Sequence, residues 1–298
     1  MHARWHGVSS RKGKTKLGKV TFNLRDTSFA HAHSTVSNKI SRHINWDRSC
    51  ADASRPTFYT NEQIYRCDTP REISYGILYE SRAILKRTFK KAPTVMHRFR
   101  NIFTHDPELL RLNPDVFKLI PGGGIWIGDP HGGGTIEIKP KTKLLSMVSS
   151  TKHSTRLHRF RLSLARKLAK ARLADVFGLE QWVHVNETLD DYMFSIVVEN
   201  SRSENFFTEK LLNCFAVGTV PIYLGCPNVG EFFDEHGIIQ VGRWTNYRRL
   251  VRSLTPDAYH ERIDAVRRNH SLCKQYEVLE DLIYEKYFLG DPWQVHRP

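Results

Sequence analysis

Residues 194–225 read FSIVVENSRSENFFTEKLLNCFAVGTVPIYLG, and the reading of this stretch decides the fold. An apolar run closes on Glu199 and Asn200, a polar loop follows, and Thr208, Glu209 and Lys210 open an amphipathic segment that stops at Gly218. A second apolar run, 220–225, ends in another glycine. Strand, loop, helix and strand in that order form the unit that joins parallel strands. Thr208 is a good N-cap and Glu209 suits the positive end of the helix dipole, whereas a lysine in the first turn opposes it. Lys210 is therefore a candidate ligand group, because a helix N-terminus with free amides and a lysine is a natural phosphate site. Glu209 is placed to accept hydrogen bonds from a ribose diol. Glu199 and Asn200 close an apolar strand, where a buried carboxylate needs partners. They read either as a satisfied structural pair or as groups that bind ligand hydroxyls and fix the 201–207 loop.

Outward from this unit the alternation repeats. Residues 20–26, 55–64, 74–81, 101–105, 116–123, 143–150, 175–178 and 237–241 read as strands. Helical patterns follow residues 81 and 105, occupy 156–173 and cover most of 256–288. This alternation predicts an α/β protein with parallel sheets. Glycine and proline crowd residues 121–142 and mark a linker, so the expected division is an N-terminal domain 1–142 and a C-terminal domain 143–298. Two such units face a central cleft, and ligands of open α/β sheets bind beyond the carboxyl ends of the strands. Glu80, Ser149, Ser150, Glu199, Asn200 and Gly225 all stand at such ends.

The 298-residue chain is 40% hydrophobic and 26% charged, a globular composition, but its net charge is +14. That excess favours an anionic partner: a nucleotide, nucleic acid, acidic glycan or anionic membrane surface. A nucleic-acid-binding protein would explain the charge but not carboxylates at strand ends, so nucleic acid is not the expected partner. Arg11, Lys12, Lys14, Lys16 and Lys19 make a cationic arm within residues 1–19, expected to be disordered, with contact to an anionic membrane as its functional reading. The five cysteines are odd in number and lack metal-knuckle spacing, which suggests reduced thiols in the cytoplasm. No stretch reads as a signal core or as the ~20-residue apolar run of a membrane span. Asp190 and Asp191 precede a strand rather than end one and lack ligand spacing, so no metal is expected. Arg156, His158, Arg159 and Arg161 open the helix after residues 143–150, and arginine forks match phosphate oxygens. Arg159 and Arg161 are two apart and cannot share a helical face. His105 reads as a residue near a helix cap.

The segments Val198-Glu199-Asn200, Thr208-Glu209-Lys210, Val220-Pro221 and Gly225, in this order and spacing, resemble the signature of the α-1,3/1,4-fucosyltransferases, glycosyltransferase family 10. Residues 143–168 are similar to that family's Arg-bearing strand and helix, and YGILYES to the strand whose last carboxylate is its proposed general base. The resemblance implies a GT-B-like architecture, with two Rossmann-like domains facing a central cleft. It implies an inverting, metal-free transfer from GDP-fucose to a glycan hydroxyl, with no cofactor. It assigns the ribose to Glu209, the diphosphate to Lys210 and Arg159, with Arg161 as the alternative, the loop or donor to Asn200, and the general base to Glu80. Another nucleotide sugar fits the same residues.

Overall fold

The computed structural model describes residues 18–26 and 33–289. Most of the cationic arm lies outside them. The N-terminal sheet holds β1 (Val20–Arg25), β2 (Ile44–Asp47), β3 (Thr57–Thr60), β4 (Ser74–Leu78), β5 (Asn101–Thr104) and β6 (Phe117–Leu119), in the order β2-β1-β3-β4-β5-β6. Helices α1 (Lys86–Val95) and α2 (Pro107–Leu112) connect its later strands. The C-terminal sheet holds β7 (Lys143–Val148), β8 (Asp175–Phe177), β9 (Tyr192–Val198), β10 (Val220–Leu224) and β11 (Ile239–Gln240), in the order β11-β10-β9-β7-β8. With it go α3 (Arg156–Lys170), α4 (Glu209–Val217), α5 (Tyr247–Arg252), α6 (Pro256–His260), α7 (Ile263–Cys273) and α8 (Leu279–Tyr287). Every strand pair is parallel, as the sequence pattern requires. Two open parallel sheets of this kind make the GT-B-like arrangement.

The local causes are plain. All of β9 and β10 is buried, which is why they read as unbroken apolar runs rather than alternating ones. Pro221 is tolerated inside β10 because β11 pairs only from Ile222, leaving one flank open at Pro221. Gly218 ends α4 in the left-handed region at φ 76°, the C-terminal stop that glycine supplies at least cost. In the C-terminal sheet β7 lies between β8 and β9, so the chain reverses its direction of growth there. The crevice at such a reversal is where ligands bind.

The units share chain. Ile125 and Ile127 of the glycine-rich linker are buried in the C-terminal core with Phe207, Leu211 and Phe215. Helix α8 returns to the N-terminal core, where Leu279, Ile283 and Tyr284 pack with Phe22, Phe58 and Phe103. Buried Glu280 on α8 accepts from Thr35 N at 2.5 Å and Trp46 Nε1 at 3.2 Å. Asp281 accepts from Ser41 Oγ at 2.6 Å and Arg42 Nε at 2.8 Å. A helix at the end of the second half thus clasps the first. All five cysteines are free, and among the described residues no helix is long and apolar enough to cross a membrane.

If α8 is part of the N-terminal core, Ile283→Ala will destabilise that core by about 2–4 kcal/mol in urea unfolding. Trp46, bonded to the neighbouring Glu280, reports the loss by fluorescence. An unchanged Trp46 transition would remove α8 from that core.

Candidate functional site

Strand β9 delivers Glu199 directly from a fully buried run, and the carboxylate is 0% exposed. It accepts from Thr208 N at 2.9 Å and from the Thr208 hydroxyl at 2.9 Å, and Lys210 Nζ stands 3.7 Å away. Burial pushes Glu199 above the usual carboxylate range, against the pull of Lys210 and Thr208. The Thr208 hydroxyl also accepts from Lys210 N at 3.3 Å and so caps α4. Close approach here needs Gly225, because a Cβ at that position would run into the Tyr223 hydroxyl and the Glu199 side chain.

Lys210 Nζ lies 2.7 Å from Glu209 Oε1 and donates to Thr208 Oγ1 at 3.1 Å. Burial works to lower Lys210, but Glu209 and Glu199 prevail and raise it. Burial likewise works to raise Glu209, and the Lys210 charge holds it below its usual range instead. Both groups are therefore ionised at neutral pH.

From α3, Arg161 reaches the same place. It is 5% exposed and donates only to neutral oxygens, Val198 O at 3.2 Å and Ser150 Oγ at 3.3 Å. Its Nε has no partner among the described residues. Burial lowers its pKa, yet an arginine stays charged. His158 beside it bonds Ser154 Oγ at 2.9 Å and is driven down to about 4 by burial and then by Arg161, Lys210 and Lys152. At His158 the potential is therefore positive. Arg159 lies on the exposed face of α3, where it donates to His153 O at 3.1 Å.

The N-terminal sheet supplies the facing wall. Glu80, just past β4, accepts through Oε1 from Ser81 N at 2.7 Å and from Asn200 Nδ2 at 3.1 Å. The second bond crosses the cleft between the sheets. Asn200 Oδ1 is buried without a partner among the described residues. His105, at the end of β5, holds the Glu80 carbonyl through Nε2 at 3.1 Å, and its ring meets Phe206 of the 201–207 loop at 4.5 Å. Asn205 Nδ2 donates to His105 O at 3.4 Å.

Of the residues chosen from sequence, Arg161, Glu199, Thr208, Glu209 and Lys210 form one cluster, Glu80 and Asn200 meet across the cleft, and Arg159 stands apart. His105 stands beside a helix cap, as the sequence suggests. The cap of α2 is Asp106, which also binds Arg82 at 2.6 and 2.7 Å, while His105 supports Glu80. A strand ending one residue earlier was the only signal for that role. Among the described residues, no group of three or more His, Cys, Asp or Glu is placed to hold a metal.

A family model described as glycosyltransferase family 10 (fucosyltransferase) C-term matches residues 138–283. An α-(1,3)-fucosyltransferase 7 of Mus musculus is 32% identical over 164 residues, 52% of this chain and 40% of that protein. An α-(1,4)-fucosyltransferase of Arabidopsis thaliana is 33% identical over 68 residues, 23% of this chain and 17% of that one. The chain thus spans less than half the length of these curated relatives. A crystal structure of an α1,3-fucosyltransferase with GDP superposes with a TM-score of 0.53 at 15% identity, covering 97% of this chain and 96% of that one. That likeness is one of fold.

Buried His105, 1% exposed, is held down to about 4 from an ordinary 6.5. Below pH 6.5 the unfolded chain takes up a proton that the folded chain refuses, so stability falls as pH drops toward 4. This one group should remove about 2 kcal/mol between pH 7 and pH 5. Urea unfolding of His105→Gln, which keeps a donor for Glu80 O, should show an acid loss smaller by that amount. An equal loss in both proteins would mean His105 is not held neutral.

Proposed function

We propose, on the match of residues 138–283 to a glycosyltransferase family 10 model, that this chain transfers fucose from GDP-fucose to a hydroxyl of a glycan, with inversion at the anomeric carbon. The observation that carries the proposal is the buried Arg161 guanidinium, which has an unpartnered Nε at the carboxyl ends of β7 and β9. A buried cation whose direct partners are neutral oxygens, with Glu199 and Glu209 acting on it only from a distance, has room for an anion to complete it. A diphosphate at the N-terminus of α4, between Arg161 and Lys210, meets that need.

The roles follow from the geometry. Glu209 and Lys210 pair with each other at the partly exposed end of the cluster. Glu209 turns to the ribose hydroxyls, and Lys210 is then released toward the phosphates. Glu199 stays in place, its bonds to Thr208 fixing the cap from which both project. As the bond to the sugar breaks, negative charge grows on the departing diphosphate, and Arg161 and Lys210 stabilise it. With two cations in place for this task, we propose that the transfer needs no metal. Across the cleft, Glu80 takes the proton of the attacking hydroxyl. Its Oε1 is tied by Ser81 and Asn200, and Oε2 has no partner among the described residues. Asn200 orients the base and ties it to the donor side. The cationic arm is proposed, on its charge alone, to add attraction to anionic head groups at a cytoplasmic membrane surface.

Calorimetry with GDP, UDP and CDP in EDTA should show selective GDP binding, weakened about 10-fold or more by Lys210→Ala or Arg161→Ala. Glu80→Gln keeps the acceptor oxygen for Asn200, so GDP affinity should hold while fucosyl transfer falls about 100-fold or more. Preference for UDP would overturn the donor. Loss of GDP binding on adding EDTA would overturn metal independence, and full transfer by Glu80→Gln would remove Glu80 as the base.

A further inference from the structure

Two segments on the outer side of the C-terminal domain contain no acidic residue at all. Residues 156–174 carry seven arginines and lysines, and residues 241–255 carry four arginines. Arg161 is buried, and of the remaining ten nine are exposed. None of the ten pairs with a carboxylate among the described residues. Elsewhere several arginines do pair, among them Arg42 with Asp281, Arg82 with Asp106 and Arg268 with Asp234. Like charges gathered without counter-charges repel one another and cost stability, so the face is built for something other than folding.

The two segments meet at a groove of about 470 Å³. Its floor is apolar, with Phe160, Leu164, Leu168 and Tyr247, and its rim is cationic, with Lys167 and Arg248. Beside it Trp244 is 91% exposed, and the Arg243 guanidinium stands 5.4 Å from its ring centroid. An exposed tryptophan, an apolar trough and a cationic rim together match the layered chemistry of a bilayer surface: phosphate outside, interfacial zone, hydrocarbon within.

We propose that this face docks the protein on an anionic phospholipid bilayer. The exposed arginines and lysines of α3 and α5 meet head-group phosphates, Trp244 enters the interfacial zone, and the groove receives an apolar segment of a lipid. Each basic residue near an anionic surface adds to the attraction, so several together make a stable attachment. A polynucleotide would answer the charge but has no use for an apolar trough. Because α3 presents Arg161 to the cleft and its basic residues to the outside, docking fixes the direction in which the cleft faces the membrane. The proposal is independent of which nucleotide sugar the cleft takes.

The test is co-sedimentation of the full chain with vesicles of phosphatidylcholine, with or without phosphatidylserine, at about 0.15 M salt. Binding should require phosphatidylserine. The double reversal Arg248→Glu with Arg249→Glu should lower vesicle affinity about 100-fold or more, and Trp244→Ala about 5-fold or more. All three side chains are exposed, so thermal midpoint and GDP affinity should hold, which separates lost docking from lost folding or a failed donor site. Equal binding to neutral vesicles overturns the proposal, as does no binding to either kind. Unchanged binding by the double reversal overturns it in favour of the arm. A single-stranded oligonucleotide that binds more tightly than the vesicles, and is weakened by the same reversals, overturns it in favour of nucleic acid.

Discussion

The cleft is organised around one buried carboxylate. Glu199 sits at the end of the central strand β9 with no exposure to solvent, and such a group is tolerable only if every lone pair finds a partner. Thr208 gives it both its backbone N–H and its hydroxyl, and Lys210 stands within ion-pair reach. Meeting that demand pins residue 208 to residue 199, closes the 201–207 loop and sets the starting point of α4. The loop, once closed, lays Phe206 and Asn205 against His105, and Asn200 against Glu80. A structural necessity within one domain thereby positions its contact with the other.

Around this anchor the charges are nearly balanced: Glu199 and Glu209 against Lys210 and Arg161. Balance is not saturation. The two carboxylates and Lys210 satisfy one another, whereas Arg161 bonds only Val198 O and Ser150 Oγ and keeps a bare Nε. Asn200 Oδ1 is bare as well. Unpaired polar atoms in buried surroundings are uncommon in folded proteins and mark places where a ligand or water completes the network. Both lie at the carboxyl ends of the second sheet, beside its point of reversal. Glu80, the proposed base, stands just past β4 of the opposite sheet. The proposed anion site and the proposed base thus belong to different sheets.

The +14 charge is likewise unevenly placed. Helix α3 divides its cations between two faces by helical geometry alone: Arg161 shares the buried stripe of Leu157, Leu164, Ala165 and Leu168, and the others are exposed. One helix thus serves the cleft with one arginine and the outer surface with the rest.

Apolar runs, caps and stops are local properties, so the order of strands and helices was readable from the chain itself. Buried parallel strands leave continuous apolar runs, Thr208 caps its own helix, and Gly218 ends it. The same helical period would have favoured Arg161 over Arg159, because only position 161 falls on the apolar stripe. Weaker elements escaped: β2 reads INWD, which has no apolar run, and α5 lies in an arginine-rich segment whose burial rests on Tyr247 and Val251. What tertiary structure alone decided is whatever depends on how the two sheets sit together. Glu80 and Asn200 are 120 residues apart, and their contact exists because the linker packs into the second core while α8 packs into the first. Periodicity reports whether a side chain is buried. It carries no information about which distant surface buries it, because that is settled by the packing of whole elements.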